Sequence, residues 1–313
     1  MRICSLIPGA TEIVAALGLA DQLVGISHEC DFPPSVRQVP VMIEPVLGNE
    51  GGQSADIDRQ VKELLASGKR LYRLDEEAFC RASPELIVTQ DLCHVCAVTP
   101  DQLTRAIHSL PRRPNMLALS PTTLDGVISD IQRIADAAGV SANGKTLTDN
   151  LQRRLHQVQT RIRATNARPR VVCLEWLAPL YLAGHWVPEM VELAGGQDVL
   201  GSSHTPSRET TWQEVESAQP NIILVMPCGY SIERTIEELR QTDQLRNEWQ
   251  LACERWPQIY VVDAASYFSR PGPRLVDGVE LLASLLQPDP RHPIDPTKVV
   301  PLGISTFASG IAS

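Results

Sequence analysis

Short, continuous apolar runs alternate along the chain with longer amphipathic segments. The runs are rich in Val, Ile and Leu and lack a regular polar alternation, which is typical of parallel strands covered on both faces. Seven runs are predicted as strands: Arg2–Ile7, Leu23–Ser27, Glu85–Gln90, Met116–Ser120, Arg170–Glu175, Asn221–Met226 and Ile259–Asp263. Because helical patterns lie between them, the sequence predicts an α/β fold with central, mostly parallel sheets.

Two pairs of similar segments indicate that the two halves of the chain share one plan. EIVAALGLADQLVG, which starts at Glu12, matches EMVELAGGQDVLG, which starts at Glu189, and each reaches an Asp nine positions after its first Glu. ASPELIVTQDLC at 82–93 matches AQPNIILVMPC at 218–228, where a Pro precedes an apolar run that delivers a Cys at its end. Since both matches occur in the same order, we expect two similar α/β lobes.

A long helical pattern stands between the two halves, from about Thr122 to Thr165. In its second part apolar residues recur every three or four positions, at Leu147, Leu151, Leu155, Val158 and Ile162. We interpret this stripe as a spine helix of about six turns that joins the lobes, with the ligand cleft between them. The predicted domains are an N-terminal lobe at 1–121, connecting helices at 122–167, a C-terminal lobe at 168–287 and a Pro-rich tail at 288–313.

Composition and charge exclude several classes of partner. A length of 313 residues suits two lobes, and 43% hydrophobic with 21% charged residues describes a soluble globular protein. A formal net charge of -9 disfavours nucleic acid and anionic membranes. No apolar run reaches the ~18 residues of a membrane span. The first residues lack the apolar stretch of a secretory signal, so we expect a cytoplasmic protein, or a periplasmic one if the native start lies upstream.

The segments that follow the predicted strands concentrate the candidate chemistry. In open parallel sheets ligands bind beyond the carboxyl ends of the strands. The segments are PGATE (8–12), HECDFPP (28–34), DLCHVC (91–96), EWLAPLYLAGHWVPE (175–189), PCGYS (227–231) and ASYFSRPGPR (265–274). They hold aromatic rings, thiols and histidines in a chain that is only 4% aromatic. This combination predicts a site for a large flat ligand, a metal, or a ligand that contains a metal.

These segments, together with MPCGY and TQDLCHVCAV, resemble the cobalamin-binding branch of the class III solute-binding proteins, the substrate-binding subunits of corrinoid and iron-siderophore ABC importers. The likeness covers residues 1 to about 287. It implies two lobes bridged by one long helix and a cobalamin held largely by aromatic and polar side chains. The residues expected to contact the ligand are Pro8, Gly9, Ala10, His28, Glu29, Trp176, His185, Trp186, Cys228, Gly229, Tyr230, Tyr267, Phe268 and Arg270. The same fold carries siderophores, haem and bare metal ions, so these ligands remain the alternatives.

The Cys-x-x-Cys pair Cys93 and Cys96 has two interpretations. The thiols are structural, or they bind zinc or iron together with Cys30 and His28, the nearest further ligands in the predicted site. Cys30 and Cys93 are 63 residues apart, so only the sheet could unite them. His28 has its own alternatives: a backbone-satisfied loop residue, or a contact to the ligand or its metal.

Other residues also carry a structural alternative. Trp176 and Trp186 belong either to the core or to the ligand site, and their position just past a strand favours the ligand site. Thr11 is expected to cap the helix that follows it. RPGPR is expected to fix a helix start, and Arg270 within it could meet an amide or a phosphate.

An enzyme is the main competing class. The sequence contains no nucleophile elbow, no His-Glu-x-x-His, no P-loop and no dinucleotide fingerprint, so we expect a binding protein without catalytic residues. A cytosolic enzyme that processes a corrinoid with its cleft thiols remains the alternative.

The resemblance also implies how such a protein meets a membrane permease. Exported relatives present one acidic residue on each lobe, and these residues dock with permease arginines. The corresponding positions are Glu77 in the N-terminal half and Gln213 in the C-terminal half, where the neighbouring Glu214 could substitute. One carboxylate is kept and the other is a neutral amide, which favours a cytosolic corrinoid carrier, store or sensor over a delivery subunit.

Overall fold

The computed structural model describes residues 1–47, 52–90, 100–162 and 168–308 and divides the chain into two compact units. The first unit comprises Met1–Gly52, Asp56–Gln152 and Pro271–Pro273, and the second comprises Gln53–Ala55, Arg153–Arg270 and Arg274–Ser313. Each unit contains one mixed sheet with helices, which confirms the predicted α/β class. None of the helices in the described ranges combines the length and the apolar character that a membrane crossing requires.

The sheet of the first unit has six strands in the order β4-β3-β2-β1-β5-β6. They are β1 (Ile3–Ser5), β2 (Leu23–Ser27), β3 (Val41–Pro45), β4 (Tyr72–Leu74), β5 (Leu86–Gln90) and β6 (Asn115–Leu119). Neighbouring strands are parallel except for the β3/β4 pair. The apolar runs correctly predicted β1, β2, β5 and β6. They missed β3 and β4, which are the outer strands on one side of the sheet.

The strand order of the first unit reverses beside β1. From β1 the chain continues to β2 and β3 on one side, and later to β5 and β6 on the other. A ligand crevice is expected at such a reversal, outside the carboxyl ends of the strands. The helices are α1 (Pro8–Ala16), α2 (Ser54–Ala66), α3 (Glu76–Ala82), α4 (Pro100–His108) and α5 (Leu124–Ala137). Helix α1 therefore begins at the edge where this crevice is expected.

The sheet of the second unit is parallel at its centre and antiparallel at its edges. Its strands are β7 (Arg170–Leu177), β8 (Leu180–Leu182), β9 (Gln197–Asp198), β10 (Arg208–Glu209), β11 (Ile222–Val225), β12 (Ile259–Val262) and β13 (Val299–Pro301). Strands β7, β11 and β12 run parallel, whereas β8, β10 and β13 pair antiparallel with their neighbours. The sequence predicted the three central strands and missed the short outer ones.

Residues beyond 287 add to the second unit. They include β13, which pairs with β12, and Leu302 and Phe307, which are buried in the core. The helices of this unit are α7 (Val187–Leu193), α8 (Trp212–Ser217), α9 (Ile232–Gln241), α10 (Asp243–Arg255), α11 (Ala264–Tyr267), α12 (Arg274–Leu286) and α13 (Ile304–Ala308). The end of the Pro-rich stretch thus supplies a strand and core side chains to the second unit.

The long helix expected between the halves is α6 (Ser141–Ile162), which has 22 residues. Leu151 and Val158 of its apolar stripe are buried. The helix belongs to the first unit up to Gln152 and to the second from Arg153 onwards. In the second unit Arg154 Nε donates to Glu280 Oε1 on α12 at 2.8 Å.

The predicted internal repeat is visible in local geometry. Helices α3 and α8 each begin at a capping side chain, because Asp75 accepts from the Ala78 N–H at 2.9 Å and Thr211 accepts from the Glu214 N–H at 3.2 Å. Each is followed by a non-glycine residue with a left-handed backbone, Ser83 (φ 39°) or Gln219 (φ 48°). A Pro and a buried strand come next in both cases. The matched segments therefore fold alike.

The two caps give a matched pair of stability predictions. Asp75→Ala and Thr211→Ala each remove the acceptor for an N–H in the first turn, and each should lower the free energy of unfolding by about 1 kcal/mol. Urea denaturation followed by circular dichroism measures the change. Ser217→Ala, which alters an exposed hydroxyl bonded to the Gln213 carbonyl, is the control and should stay near wild type.

Candidate functional site

The segments predicted to bind the ligand follow parallel strands at their carboxyl ends in each unit. In the first unit Pro8 follows β1 and His28 follows β2. In the second unit Trp176 lies at the end of β7, Cys228 follows β11 and Tyr267 follows β12. Because parallel strands end at the same edge of a sheet, each unit collects its candidate residues along one edge.

Helix α1 starts earlier than Thr11, which was expected to cap it. The helix begins with Pro8 in its first turn, Ile7 is the N-cap residue, and no side chain caps the start. Pro suits this position because it has no N–H to leave unpaired and its φ already fits a helix. Thr11 is buried inside the helix and its hydroxyl donates to Ser5 Oγ at 2.8 Å. The capping prediction for Thr11 is therefore wrong.

Gly9 lies against the 271–273 segment, which belongs to the first unit. A Cβ on Gly9 would come within 2.8 Å of the Pro271 carbonyl carbon and closer still to its oxygen. Gly272 is close to Gly9 in turn, since a Cβ on Gly272 would lie 3.3 Å from the Gly9 oxygen. PGATE and RPGPR, which are separate motifs in the sequence, are thus packed together. Helix α12 begins at Arg274, so the expected helix start after the second motif is confirmed.

His28 and Cys30 are both held by protein atoms. His28 Nδ1 lies 3.2 Å from the Ile43 carbonyl oxygen, and its ring centroid is 5.8 Å from that of Tyr72. Cys30 is buried with its Sγ 3.0 Å from Thr11 Oγ1. Burial raises the pKa of the neighbouring Cys4 thiol, and the negative charge of a Cys30 thiolate adds to this effect. The neighbouring Glu29 is exposed.

The metal hypothesis depends on residues that the structure does not describe. Cys93 and Cys96 lie outside the described residues. Within the described ranges, no group of three or more His, Cys, Asp or Glu side chains is arranged to hold a metal ion. His28 and Cys30 alone do not form a metal site, because a zinc site needs three or four protein ligands. Zinc or iron at the cysteines stays a prediction.

Trp176 is anchored at the edge of the second sheet through its indole nitrogen and its ring. It is half-buried, and its indole Nε1–H donates to the Ser54 carbonyl oxygen at 3.1 Å. Its ring meets the Tyr230 ring at 5.5 Å and 64°, an edge-to-face arrangement. The Arg234 guanidinium lies 3.8 Å from the centroid of Tyr230. These contacts hold the Trp176 ring in place while part of it stays exposed.

Three other predicted contact residues are almost fully buried. The Trp186 Nε1–H donates to the Phe268 carbonyl oxygen at 2.8 Å, and Trp186, Phe268 and Tyr230 are 5%, 2% and 2% exposed. Ala10 in the first unit is also buried. These side chains pack within the protein, so their contact with a ligand stays a prediction.

His185 has a strained backbone and a depressed pKa. Its φ of 52° is left-handed, and its N–H donates to the Thr205 carbonyl oxygen at 2.7 Å. The ring is partly buried beside Trp186, 5.7 Å between centroids. Burial lowers the pKa of the His185 imidazole, which keeps it neutral at pH 7. A neutral ring can accept a hydrogen bond or bind a metal of a ligand.

Cys228 and Gly229, in the loop after β11, are exposed. Gly229 has a φ of 76°, which favours glycine, and its N–H donates to Ser269 Oγ at 3.1 Å. Tyr267, the last residue of α11, and Arg270 are half-buried, and Lys298 Nζ lies 5.2 Å from the Tyr267 ring centroid. This part of the edge thus combines an exposed thiol with positive charge.

The positions expected to meet a permease lie on the matched helices α3 and α8. Glu77 is exposed and forms an ion pair with Arg81. Gln213 is exposed, whereas Glu214 accepts from Arg208 at 2.6 and 3.1 Å and from Thr210 at 2.8 Å. Hydrogen bonding to Arg208 lowers the pKa of Glu214. Glu214 is therefore already bound within its own unit.

Sequence reasoning missed Ser54 and Glu238, which accept hydrogen bonds from Trp176 and Tyr230 respectively. Glu238 is buried on α9, a helix whose other Glu residues at 233 and 237 are exposed. A Glu in IERTIEELRQ is usually solvated, so only its place beside the apolar stripe could have indicated burial. Ser54 gave no signal, because its backbone groups rather than its side chain make the contacts.

Comparison with known proteins agrees with this arrangement. The model of the periplasmic binding protein family matches residues 3–248. The vitamin B12-binding protein of Vibrio cholerae serotype O1 is 24% identical over 290 residues, covering 91% of this chain and 89% of the relative. The crystal structure of the periplasmic vitamin B12-binding protein BtuF of Vibrio cholerae has a TM-score of 0.64 at 23% identity, covering 91% of this chain and 96% of that one.

A periplasmic heme-binding protein from Pseudomonas aeruginosa has a TM-score of 0.67 at 17% identity, covering 97% of this chain and 96% of that one. These structures are alike in fold, which extends over both units. The family model spans well over half of the sequence. The chain therefore belongs to the periplasmic binding protein family.

Proposed function

We propose that the chain is a solute-binding protein whose ligand is a corrinoid. The observation that carries the proposal is the anchored, half-buried Trp176 at the carboxyl end of β7. A fixed aromatic face suits a broad planar macrocycle, because stacking buries apolar area without ordering a flexible side chain. The relatives named as vitamin B12-binding proteins, which align over most of the chain, support the same ligand.

The other residues along this edge supply polar contacts. Arg270 suits the amide and phosphate groups at the rim of a corrinoid. In the first unit Pro8 and Glu29 lie at the corresponding edge. The neutral His185 could approach a metal carried by the ligand. These roles require binding and no catalytic step, so the chain needs no general acid, base or nucleophile.

Titration calorimetry and gel filtration with cyanocobalamin test this function. We expect one corrinoid per chain and coloured protein after filtration. Haem is the comparison ligand, and tighter binding of haem would replace the corrinoid proposal. Ligand recovered after denaturation should be unchanged; decyanated or reduced cobalamin would instead favour the corrinoid-processing enzyme. No heat and no retained colour with several cobalamins would refute the proposal.

The Trp176→Ala variant is expected to bind cyanocobalamin about tenfold more weakly, equivalent to ~1.4 kcal/mol, because a buried aromatic contact is lost. Trp256→Ala is the control. Trp256 is half-buried near the amino end of β12, away from the carboxyl ends of the strands, and stacks on Trp212 at 5.8 Å. Equal affinities of Trp176→Ala and wild type would remove Trp176 from the site.

We further propose that the chain is a poor delivery subunit for a permease, because Gln213 is uncharged and Glu214 is bound by Arg208. In cells that lack their own corrinoid-binding protein, an exported form should support little uptake and its Gln213→Glu variant more. Equal uptake by both would show that the amide does not impede docking. Fractionation of the native host, with this protein untagged, tests the expected cytoplasmic location.

A further inference from the structure

Glu238 is a buried carboxylate with two donors from different parts of the chain. It lies on α9, is 4% exposed, and accepts from the Ser54 N–H at 2.7 Å and from the Tyr230 hydroxyl at 2.9 Å. Ser54 is the first residue of α2. The first N–H groups of a helix have no partner within the helix, and a negative charge there is favourable. Glu238 therefore satisfies the Ser54 N–H, and Ser54 belongs to the same unit as Glu238.

The two donors to Glu238, the Ser54 N–H and the Tyr230 hydroxyl, belong to residues that also contact Trp176. The Ser54 carbonyl oxygen accepts from the Trp176 indole N–H at 3.1 Å, and the Tyr230 ring packs edge-to-face on the Trp176 ring at 5.5 Å. Glu238, Ser54, Trp176 and Tyr230 thus form a closed ring of contacts, all within the second unit. One route holds the indole nitrogen and the other contacts the indole ring.

A cationic side chain lies beside the Tyr230 ring. Arg234, one turn before it on α9, places its guanidinium 3.8 Å from the Tyr230 centroid. Burial and the nearby Glu238 carboxylate raise the pKa of the Tyr230 phenol, so the hydroxyl remains protonated and donates. Removing the carboxylate would leave a buried N–H and a buried hydroxyl without their acceptor, which destabilises more than the loss of an exposed pair.

We infer that Glu238 is a positioning residue for the ligand site: it holds Trp176 in its orientation through Ser54 and Tyr230 without touching the ligand. The effect on affinity rests on the proposed function, whereas the effect on Trp176 itself does not. In the absence of Glu238 the indole has neither a fixed acceptor nor a fixed neighbouring ring. The ring then samples other rotamers, and binding must restore one of them.

The test compares Glu238→Ala with Glu237→Ala, an exposed Glu on the same helix. Fluorine NMR of protein labelled with 5-fluorotryptophan reports on the ring, and Trp176→Phe assigns its resonance. Without ligand, we expect Glu238→Ala to shift or broaden the Trp176 resonance and to speed exchange of the Ser54 amide hydrogen at least tenfold. Affinity for cyanocobalamin should fall about tenfold. Glu237→Ala should leave all three unchanged.

Two conservative variants separate hydrogen bonding from charge and bulk. Glu238→Gln can accept from the Ser54 N–H with its oxygen and donate to the Tyr230 hydroxyl with its amide, so it should retain affinity within about threefold. Ser54→Ala keeps both backbone contacts and removes a buried hydroxyl that has no hydrogen-bond partner among the described residues. It should leave the Trp176 resonance in place.

A double-mutant cycle identifies action through Trp176. If Glu238 acts by positioning that ring, Glu238→Ala in a Trp176→Ala background should weaken binding no further. Additive losses, or an unmoved Trp176 resonance in Glu238→Ala, would overturn the inference. If Glu238→Ala does not fold, Tyr230→Phe, which removes only the hydroxyl, should still shift the resonance. If wild-type protein binds no corrinoid, the proposed function fails while the NMR and exchange results still decide the positioning role.

Discussion

Replacing Gly9 with Ala is expected to lower the free energy of unfolding by about 3 kcal/mol, although Ala is the better helix former. The added Cβ would overlap the Pro271 carbonyl group, lying 2.8 Å from its carbon. The obstructing atoms are backbone, so no side-chain rotation relieves the overlap, and the 271–273 segment or α1 must move. Overpacking of this kind costs about 1–3 kcal/mol, and the closeness of the carbonyl places Gly9 at the upper end.

Scanning calorimetry measures the Gly9→Ala effect as a lower Tm. Gly303→Ala is the matched control, because a Cβ there would find its nearest neighbour 3.9 Å away. This control should unfold near the wild-type temperature. A Gly9→Ala protein as stable as Gly303→Ala would show that the two motifs separate at little cost and that their packing is not required for the fold.

The contribution of Asp198 to the free energy of unfolding should fall by about 3 kcal/mol between pH 4 and pH 6. Burial raises the pKa of this carboxyl from 3.8 to about 6, against the lowering effect of the Gly201 and Leu200 N–H groups bonded to Oδ1 at 2.7 and 3.2 Å. The folded state therefore holds a proton that the unfolded state has released between these pH values. At about 1.4 kcal/mol per pKa unit, the difference between a pKa of 3.8 and one of about 6 corresponds to about 3 kcal/mol.

Asp198→Asn isolates this contribution, because Oδ1 can still accept from both N–H groups while the charge is gone. Urea unfolding at pH 4, 5, 6 and 7 should show a flatter stability profile for Asp198→Asn than for wild type, with the difference arising between pH 4 and 6. Asp21→Asn changes the exposed counterpart in the internal repeat and should keep the wild-type profile. Parallel profiles for Asp198→Asn and wild type would contradict the prediction.

The central strands were predictable because burial on both faces leaves a continuous apolar run. β5 and β11 are fully buried over most of their length, and both were predicted within one or two residues. β4 and β13 have only three residues each and pair at a sheet edge, so their partners rather than their own pattern define them. β13 also follows a Pro-rich stretch whose composition resembles a loop.

The site was predictable at the level of the sheet edge but not of the individual side chain. Trp176 and Trp186 carry the same aromatic signal, yet Trp186 is 5% exposed and bonded to the Phe268 backbone, whereas Trp176 is half-buried. An indole suits the core and a wet edge equally, so sequence cannot separate the two. The contacts of Glu238 depend on backbone groups 184 residues away, which no local pattern records.

The membership of residues 53–55 in the second unit and of 271–273 in the first limits how the gene can be recombined. A chimera that joins halves of two homologues within α6 would take Ser54 from one parent and Glu238 from the other. It would likewise pair Gly9 with a foreign Pro271 segment. Recombination that preserves these contacts therefore requires residues 53–55 to be exchanged together with the second unit and residues 271–273 together with the first. The segments that can be exchanged as one block are thus discontinuous in sequence.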